Sequence, residues 1–218
     1  MKRGLSLALI CVMLSLLSCS KERISGNGAT IIETRNIRNF TAISASGSTN
    51  VYIIQGTAFK VEVKGFSNLL PYYETRLLNN TLHVGYKKNV YIKNDNLEVY
   101  ITLPVLNSLA LSGSGSITTT GSFNGNTDFN AAVSGSGNIH FSSGTTQKFY
   151  SKVDGSGGIY MLNMIADHAD ATIIGSGKTE ITASSRLKVK IIGSGKLCYR
   201  GSPVITTSIT GSGTVLPK

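Results

Sequence analysis

The sequence predicts an all-β chain: a β-solenoid, or β-helix-like stack, of about six Gly-Ser-Gly-cornered coils, preceded by a less regular β region that caps one end. Three observations predict it. Gly-Ser-Gly recurs with its first glycines 22, 20, 20, 18 and 18 residues apart, a period that suits one coil of a solenoid. Apolar residues alternate with polar ones on both sides of each corner, which marks strands with one buried face. Charged residues make up only 15% of the chain, against ~25% in ordinary globular domains. Ser, Thr and Asn fill the polar positions instead, which suits short strands and tight turns.

Residues 1–18 read as an export signal. Lys2 and Arg3 are followed by an uncharged, mostly apolar run from Leu5 to Leu17, too short for the ~20 residues of a spanning helix. The run ends Leu16-Leu17-Ser18-Cys19, which resembles a bacterial lipobox. Cys19 is therefore the expected lipidation site, and lipid the expected link to a membrane. Loss of Cys11 with the signal and use of Cys19 for lipid leave Cys198 as a lone thiol, so no disulfide is expected within the mature chain. Removing Lys2 and Arg3 also leaves 19 basic side chains against 11 acidic, a charge of +8.

Residues 19–29 are polar and glycine-containing, and are expected to act as a flexible tether. Residues 30–105 form an N-terminal β region. Thr41 to Ile53 resembles a degenerate copy of the later corners, with Ala45 before Gly47 and Val51 and Ile53 after it. Phe59, Val61 and Val63 alternate, as do the residues of Leu97 to Leu103. Glu74 to Tyr86 predicts a hairpin turning at Asn79-Asn80. This region is expected to cap one end of the stack, because an open coil exposes unpaired N–H and C=O groups. Residues 30–218 read as one continuous domain.

Residues 106–218 carry the repeats. Two positions before the corners stand Leu111, Val133, Val153, Ile173, Ile191 and Ile209. Two positions after them stand Ile117, Ile139, Ile159, Thr179, Leu197 and Val215. Stacked ~4.8 Å apart, these residues would form internal columns. Phe129 would lie over Phe149, where stacking adds ~1 kcal/mol beyond area. The glycines are structural corners: Gly113, Gly115, Gly135, Gly137, Gly155, Gly157, Gly175, Gly177, Gly193, Gly195, Gly211 and Gly213. Glycine turns sharply and admits a close neighbour. The serines between them would form a self-satisfying hydroxyl ladder. No phosphate-loop or calcium-binding repeat pattern accompanies these glycines.

With its lipobox, N-terminal strands and Gly-Ser-Gly coils, the chain resembles the putative auto-transporter adhesin head GIN domain family over roughly residues 38–216. Gly137-Asn138-Ile139 is close to the motif of the family's name, and Gly157-Gly158-Ile159 and Gly115-Ser116-Ile117 are looser versions. The resemblance implies a β-helix-like fold, an envelope location in Bacteroidetes and an adhesin-type role, with no site residues to carry over.

Chemistry-bearing residues are sparse. His83, His140 and His168 are isolated, and His140 belongs to an outward column. Asp167, His168 and Asp170 form the one local His/carboxylate cluster, near a second corner, with no stacked ligands to complete a metal site. The solenoid acids Asp128, Asp154, Asp167, Asp170 and Glu180 fall in different columns, which disfavours the clustered carboxylates of a polysaccharide lyase. No catalytic residue, metal or cofactor is expected. Lys178, Lys188, Lys190 and Lys196 are candidate anion-binding residues; an anionic glycan or a lipid headgroup would suit them, and a merely solvated face is the alternative. The expected role is a non-catalytic, lipid-anchored scaffold for adhesion or for glycan or protein contact at the outer membrane or cell surface. A carbohydrate-active enzyme and a purely structural envelope protein are the alternatives. Nucleic acid is not an expected partner of an exported protein. Self-association through the C-terminal edge is a further expectation.

Overall fold

Alternation of side chains along each strand fixes the architecture. The computed structural model describes residues 22–218, so the export signal and Cys19 lie outside the described residues. The N-terminal region contains β1 (Glu22–Ser25), β2 (Thr30–Thr34), β3 (Ala42–Gly47), β4 (Asn50–Gln55) and β5 (Lys60–Phe66). After a 3-10 turn at Leu70–Tyr72 come β6 (Tyr73–Leu78), β7 (Thr81–Tyr86), β8 (Val90–Lys93) and β9 (Glu98–Leu103). The coils follow as β10 (Ser108–Gly113), β11 (Ser116–Thr120), β12 (Ser122–Gly135), β13 (Asn138–His140), β14 (Ser143–Gly155) and β15 (Gly158–Gly175). They close with β16 (Lys178–Gly193), β17 (Lys196–Arg200), β18 (Val204–Thr210) and β19 (Thr214–Pro217).

The predicted columns stand in register. Leu111 pairs with Val133, Val133 with Val153, Val153 with Ile173 and Ile173 with Ile191, all in parallel ladders. Every member is buried. On the other side of the corner Ile117, Ile139 and Ile159 form a second buried column. Each coil thus has a first wall, ending at the corner, and a second wall, starting from it. The columns reach the last coil at Ile205 and Ile209, which are exposed.

Phe129 and Phe149 pair as expected, but their rings are tilted at 54° with centroids 6.2 Å apart. Phe141 from the second wall meets Phe129 edge-on at 5.1 Å. Its wedge position, rather than a phenyl stack, fills that part of the core.

The corner is held by main chain. The Gly113 carbonyl accepts N–H bonds from Ser136 at 3.0 Å and Gly137 at 2.9 Å, and Gly135 does the same for Ser156 and Gly157. The corner serines are exposed, so the ladder is made by backbone groups and not by the hydroxyls that the repeat suggested. A positive φ of 119° at Gly135 aims its carbonyl along the stack. Gly137 serves differently: a β-carbon there would come 2.6 Å from Leu111 Cδ2 of the coil before.

The opposite edge absorbs the differences in coil length. β15 and β16 run through the second corner as bent, continuous strands, with register shifts between Met161 and Ile165 and between Ala166 and His168. Insertions therefore collect opposite the glycine corner, whose spacing is dictated by the stacked backbone.

The degenerate corner at Gly47 is a true coil. Ala45, Gly47 and Val51 pair with Leu111, Gly113 and Ile117. The chain then moves outward: β7 lies on the far edge of β3 and β9 on that of β4, both parallel. Antiparallel β6, β5 and β2 complete the cap. The β6–β7 hairpin turns at Asn79 and Asn80, with φ of 49° and 59°, the left-handed pair that a two-residue turn demands.

Residues 22–29 differ from a tether. β1 pairs in parallel with β8. The Asn68 side chain donates to the Ser25 carbonyl at 2.8 Å and that of Asn94 to Gly26 at 2.7 Å. Two distant amides thus dock a segment whose own composition offers little to bury.

Candidate functional site

The outward residues of the two walls are different surfaces. On the first wall, β14, β15 and β16 bring Lys148, His168 and Arg186 into one column and Tyr150, Asp170 and Lys188 into the next. These six side chains line a groove of about 480 Å³. Lys152 and Lys190 follow one column further, separated by Thr172. Alternation is the cause: Phe149, Ala169 and Leu187 point inward between them, so every second residue must face solvent.

Charge in this groove is unbalanced. Lys188 Nζ lies 3.9 Å from Asp170 Oδ2, with both side chains well exposed, a pairing worth little in water. Among the described residues Lys148, Lys152, Arg186 and Lys190 enter no salt bridge. Nδ1 of His168 is buried with no hydrogen-bond partner among the described residues. Cations held on adjacent coils repel one another, and an external anion would relieve that repulsion.

The four lysines singled out in the sequence divide between the walls. Lys188 and Lys190 belong to the basic groove and its margin. Lys178 and Lys196 pair with each other on the second wall. There Lys178 already has an anion: its Nζ lies 2.6 Å from Glu180 Oε1, and Lys218 Nζ lies 2.7 Å from Oε2. Burial alone would raise the Glu180 carboxyl, but the hydrogen bonds from Lys178 and Lys218 outweigh it and hold the group below its usual range. Glu180 in turn holds the Lys178 ammonium above its usual value. Sequence reasoning missed Lys148 in the groove and Lys152 at its margin, and placed His168 only in a local cluster with Asp167 and Asp170. Their signal is a shared odd offset: Lys148 and His168 stand seven residues before a corner glycine and Lys152 three, on coils that precede the conspicuous basic stretch of residues 175–200.

The acids remain dispersed. Asp128 pairs with Lys148, Asp154 with Ile174 and Asp170 with Lys188, while Glu180 is on the other wall. Asp167 accepts a hydrogen bond from Ser184 at 3.3 Å. Among the described residues no group of three His, Cys, Asp or Glu side chains is placed to hold a metal ion.

The second wall carries an outward ladder running Tyr100, Tyr52, Thr118, His140, Tyr160, Glu180. Tyr52 stacks on Tyr100 at 5.1 Å and 20°, and His140 on Tyr160 at 4.8 Å and 5°.

Comparison with known proteins agrees with this architecture. A structure of a putative adhesin from Bacteroides fragilis superposes with a TM-score of 0.71 at 22% identity, covering 89% of this chain and 100% of that one. A putative adhesin from Parabacteroides merdae gives 0.60 at 20% identity, covering 90% and 99%. A putative lipid binding protein from Parabacteroides distasonis gives 0.60 at 24% identity, covering 90% and 100%. At these identities the likeness shows the fold alone. No curated protein matches the chain. The family model described as "putative auto-transporter adhesin, head GIN domain" matches residues 39–203, which include the degenerate corner and five of the six Gly-Ser-Gly corners. The chain belongs to that family.

Proposed function

We propose that this chain is an adhesin-type solenoid of the cell envelope, lipid-anchored through Cys19 and non-catalytic, whose basic first wall holds an anionic glycan. The family description and the names of the solved neighbours support an adhesion-type role and an envelope location. The observation that carries the finer reading is the in-register groove of Lys148, His168, Arg186 and Lys188. A rigid sheet presents these groups at the regular spacing of the coils, which suits a repeating polymer better than a single small anion. The dispersion of the acids favours binding over cleavage.

Immobilised polygalacturonate tests the reading. Binding is expected at low ionic strength. It should weaken as salt rises and the Debye length falls from ~10 Å at 0.1 M to ~3 Å at 1 M. No binding at low salt overturns the glycan assignment. The anchor is tested separately: Cys19→Ser should release the protein from the membrane fraction, and unchanged membrane retention would remove the lipid assignment.

A further inference from the structure

The first wall finishes on a strand with one open edge. β18 pairs with β16 alone among the described strands, so its other edge presents unpaired N–H and C=O groups. All seven of its residues are exposed. Ile205, Thr207 and Ile209 continue the inward columns of Leu187, Val189 and Ile191, yet Ile205 is 37% exposed and Ile209 41%. Core positions therefore open onto solvent here. Edge strands are ordinarily blunted by charge, proline or a bulge. Val204–Thr210, VITTSIT, has neither charge nor proline, and its ladder to β16 runs without a register shift. The nearby cation is turned back: Lys218 Nζ lies 2.7 Å from Glu180 Oε2, and the Lys218 N–H donates to the Tyr199 carbonyl at 2.9 Å. A chain with 21 basic and 11 acidic side chains thus keeps one uncharged apolar edge, where two copies can meet without repulsion.

The sequence of that strand selects its partner. About Thr207 it is nearly palindromic: Thr206 corresponds to Ser208 and Ile205 to Ile209. Turning a second β18 end for end about Thr207 therefore sets isoleucine opposite isoleucine and hydroxyl opposite hydroxyl. Such cross-strand pairs stabilise an antiparallel ladder. The exposed ends of the inward columns then cover one another. Pairing with another copy's cap would instead bring β2 or β6 to this edge, with the charges of Glu33, Glu74 and Arg76. The self-matched contact is isologous and closes at two copies.

We infer that this edge is a homodimer interface: β18 of one protomer pairs antiparallel with β18 of its partner about Thr207, joining two solenoids end to end. The contact uses neither the basic groove nor the lipid at Cys19. It does not rest on the proposed function, and either can fail alone.

The test is disulfide trapping of the purified full-length protein with copper phenanthroline as oxidant. Facing residues of an antiparallel pair have Cα atoms ~4.5–5.5 Å apart, within the ~4.4–6.8 Å that a disulfide spans. Thr207→Cys should therefore give a covalent dimer on a non-reducing gel. Thr210→Cys would stand six residues along the strand from its own copy, roughly 20 Å, and should give none. Cys198 is buried, and the wild type supplies the background. Ile209→Lys placed in the Thr207→Cys chain charges the edge and should abolish the cross-link. Sedimentation equilibrium should find the wild type dimeric and Ile209→Lys monomeric, which decides the matter if Thr207→Cys does not fold. A monomeric wild type overturns the inference. So does a folded Thr207→Cys that cross-links no more than the wild type or Thr210→Cys, or a dimer that Ile209→Lys leaves intact.

Discussion

Gly135 lies so closely over Gly113 that a β-carbon on it would come 2.6 Å from the Gly113 carbonyl oxygen. That oxygen is the acceptor for the N–H groups of Ser136 and Gly137, so it cannot withdraw without breaking two bonds. Gly135→Ala therefore combines left-handed backbone strain, ~1–2 kcal/mol, with overpacking against fixed main chain, ~1–3 kcal/mol. Urea unfolding should show a loss of at least ~2 kcal/mol. Ser136→Ala on the same corner should change stability by less than ~0.5 kcal/mol, because the exposed hydroxyl is outside the ladder. A larger effect for the serine would restore the hydroxyl ladder and contradict the backbone account.

Thr179 interrupts the column that runs from Ile159 to Leu197. It is fully buried, and its hydroxyl has no hydrogen-bond partner among the described residues. Valine has nearly the same shape without the stranded oxygen. Thr179→Val is expected to raise the unfolding free energy by about 1 kcal/mol, measured by the same denaturant titration. A loss of stability would mean that the hydroxyl is satisfied.

Glu180 makes the second wall pH-sensitive. Its folded carboxyl is held below the usual value of 4.5 by Lys178 and Lys218, so the carboxylate form is favoured by folding. Its contribution is fully present above about pH 4.5 and is lost as pH falls through the lower folded value. Glu180→Gln should cost about 1–3 kcal/mol at neutral pH, towards the lower end because both lysines are substantially exposed. The difference between wild type and variant should shrink on acidification below pH 4. A constant difference from pH 7 to pH 3 would exclude the ion pairs as its source.

Most of the fold is legible in the sequence because it is written locally. Leu111, Val133 and Val153 share an offset from a repeated corner, and parallel in-register stacking turns equal offsets into contacts. The Asn79-Asn80 turn is legible for the same reason, since its left-handed pair is a local demand. What escapes is whatever depends on partners far along the chain. The docking of Ser25 and Gly26 needs the amides of Asn68 and Asn94. The wedge of Phe141 comes from the opposite wall. The pairing of Lys178 uses Lys218 as the second donor to Glu180, a contact 38 residues apart. The candidate site was half legible: Lys188 and Lys190 stood out in a basic stretch, whereas Lys148 and His168 join them only once offsets from the corners are compared coil by coil.

The measurement that most directly tests the functional account compares two single charge reversals, Lys188→Glu and Lys196→Glu, for binding to polygalacturonate at low salt. Both change the net charge equally, but they lie on opposite walls. The account predicts at least ~10-fold weaker binding for Lys188→Glu, a loss of ~1.4 kcal/mol, and near wild-type binding for Lys196→Glu. Equal losses from the two variants, or undiminished binding by Lys188→Glu, would contradict a glycan held on the first wall.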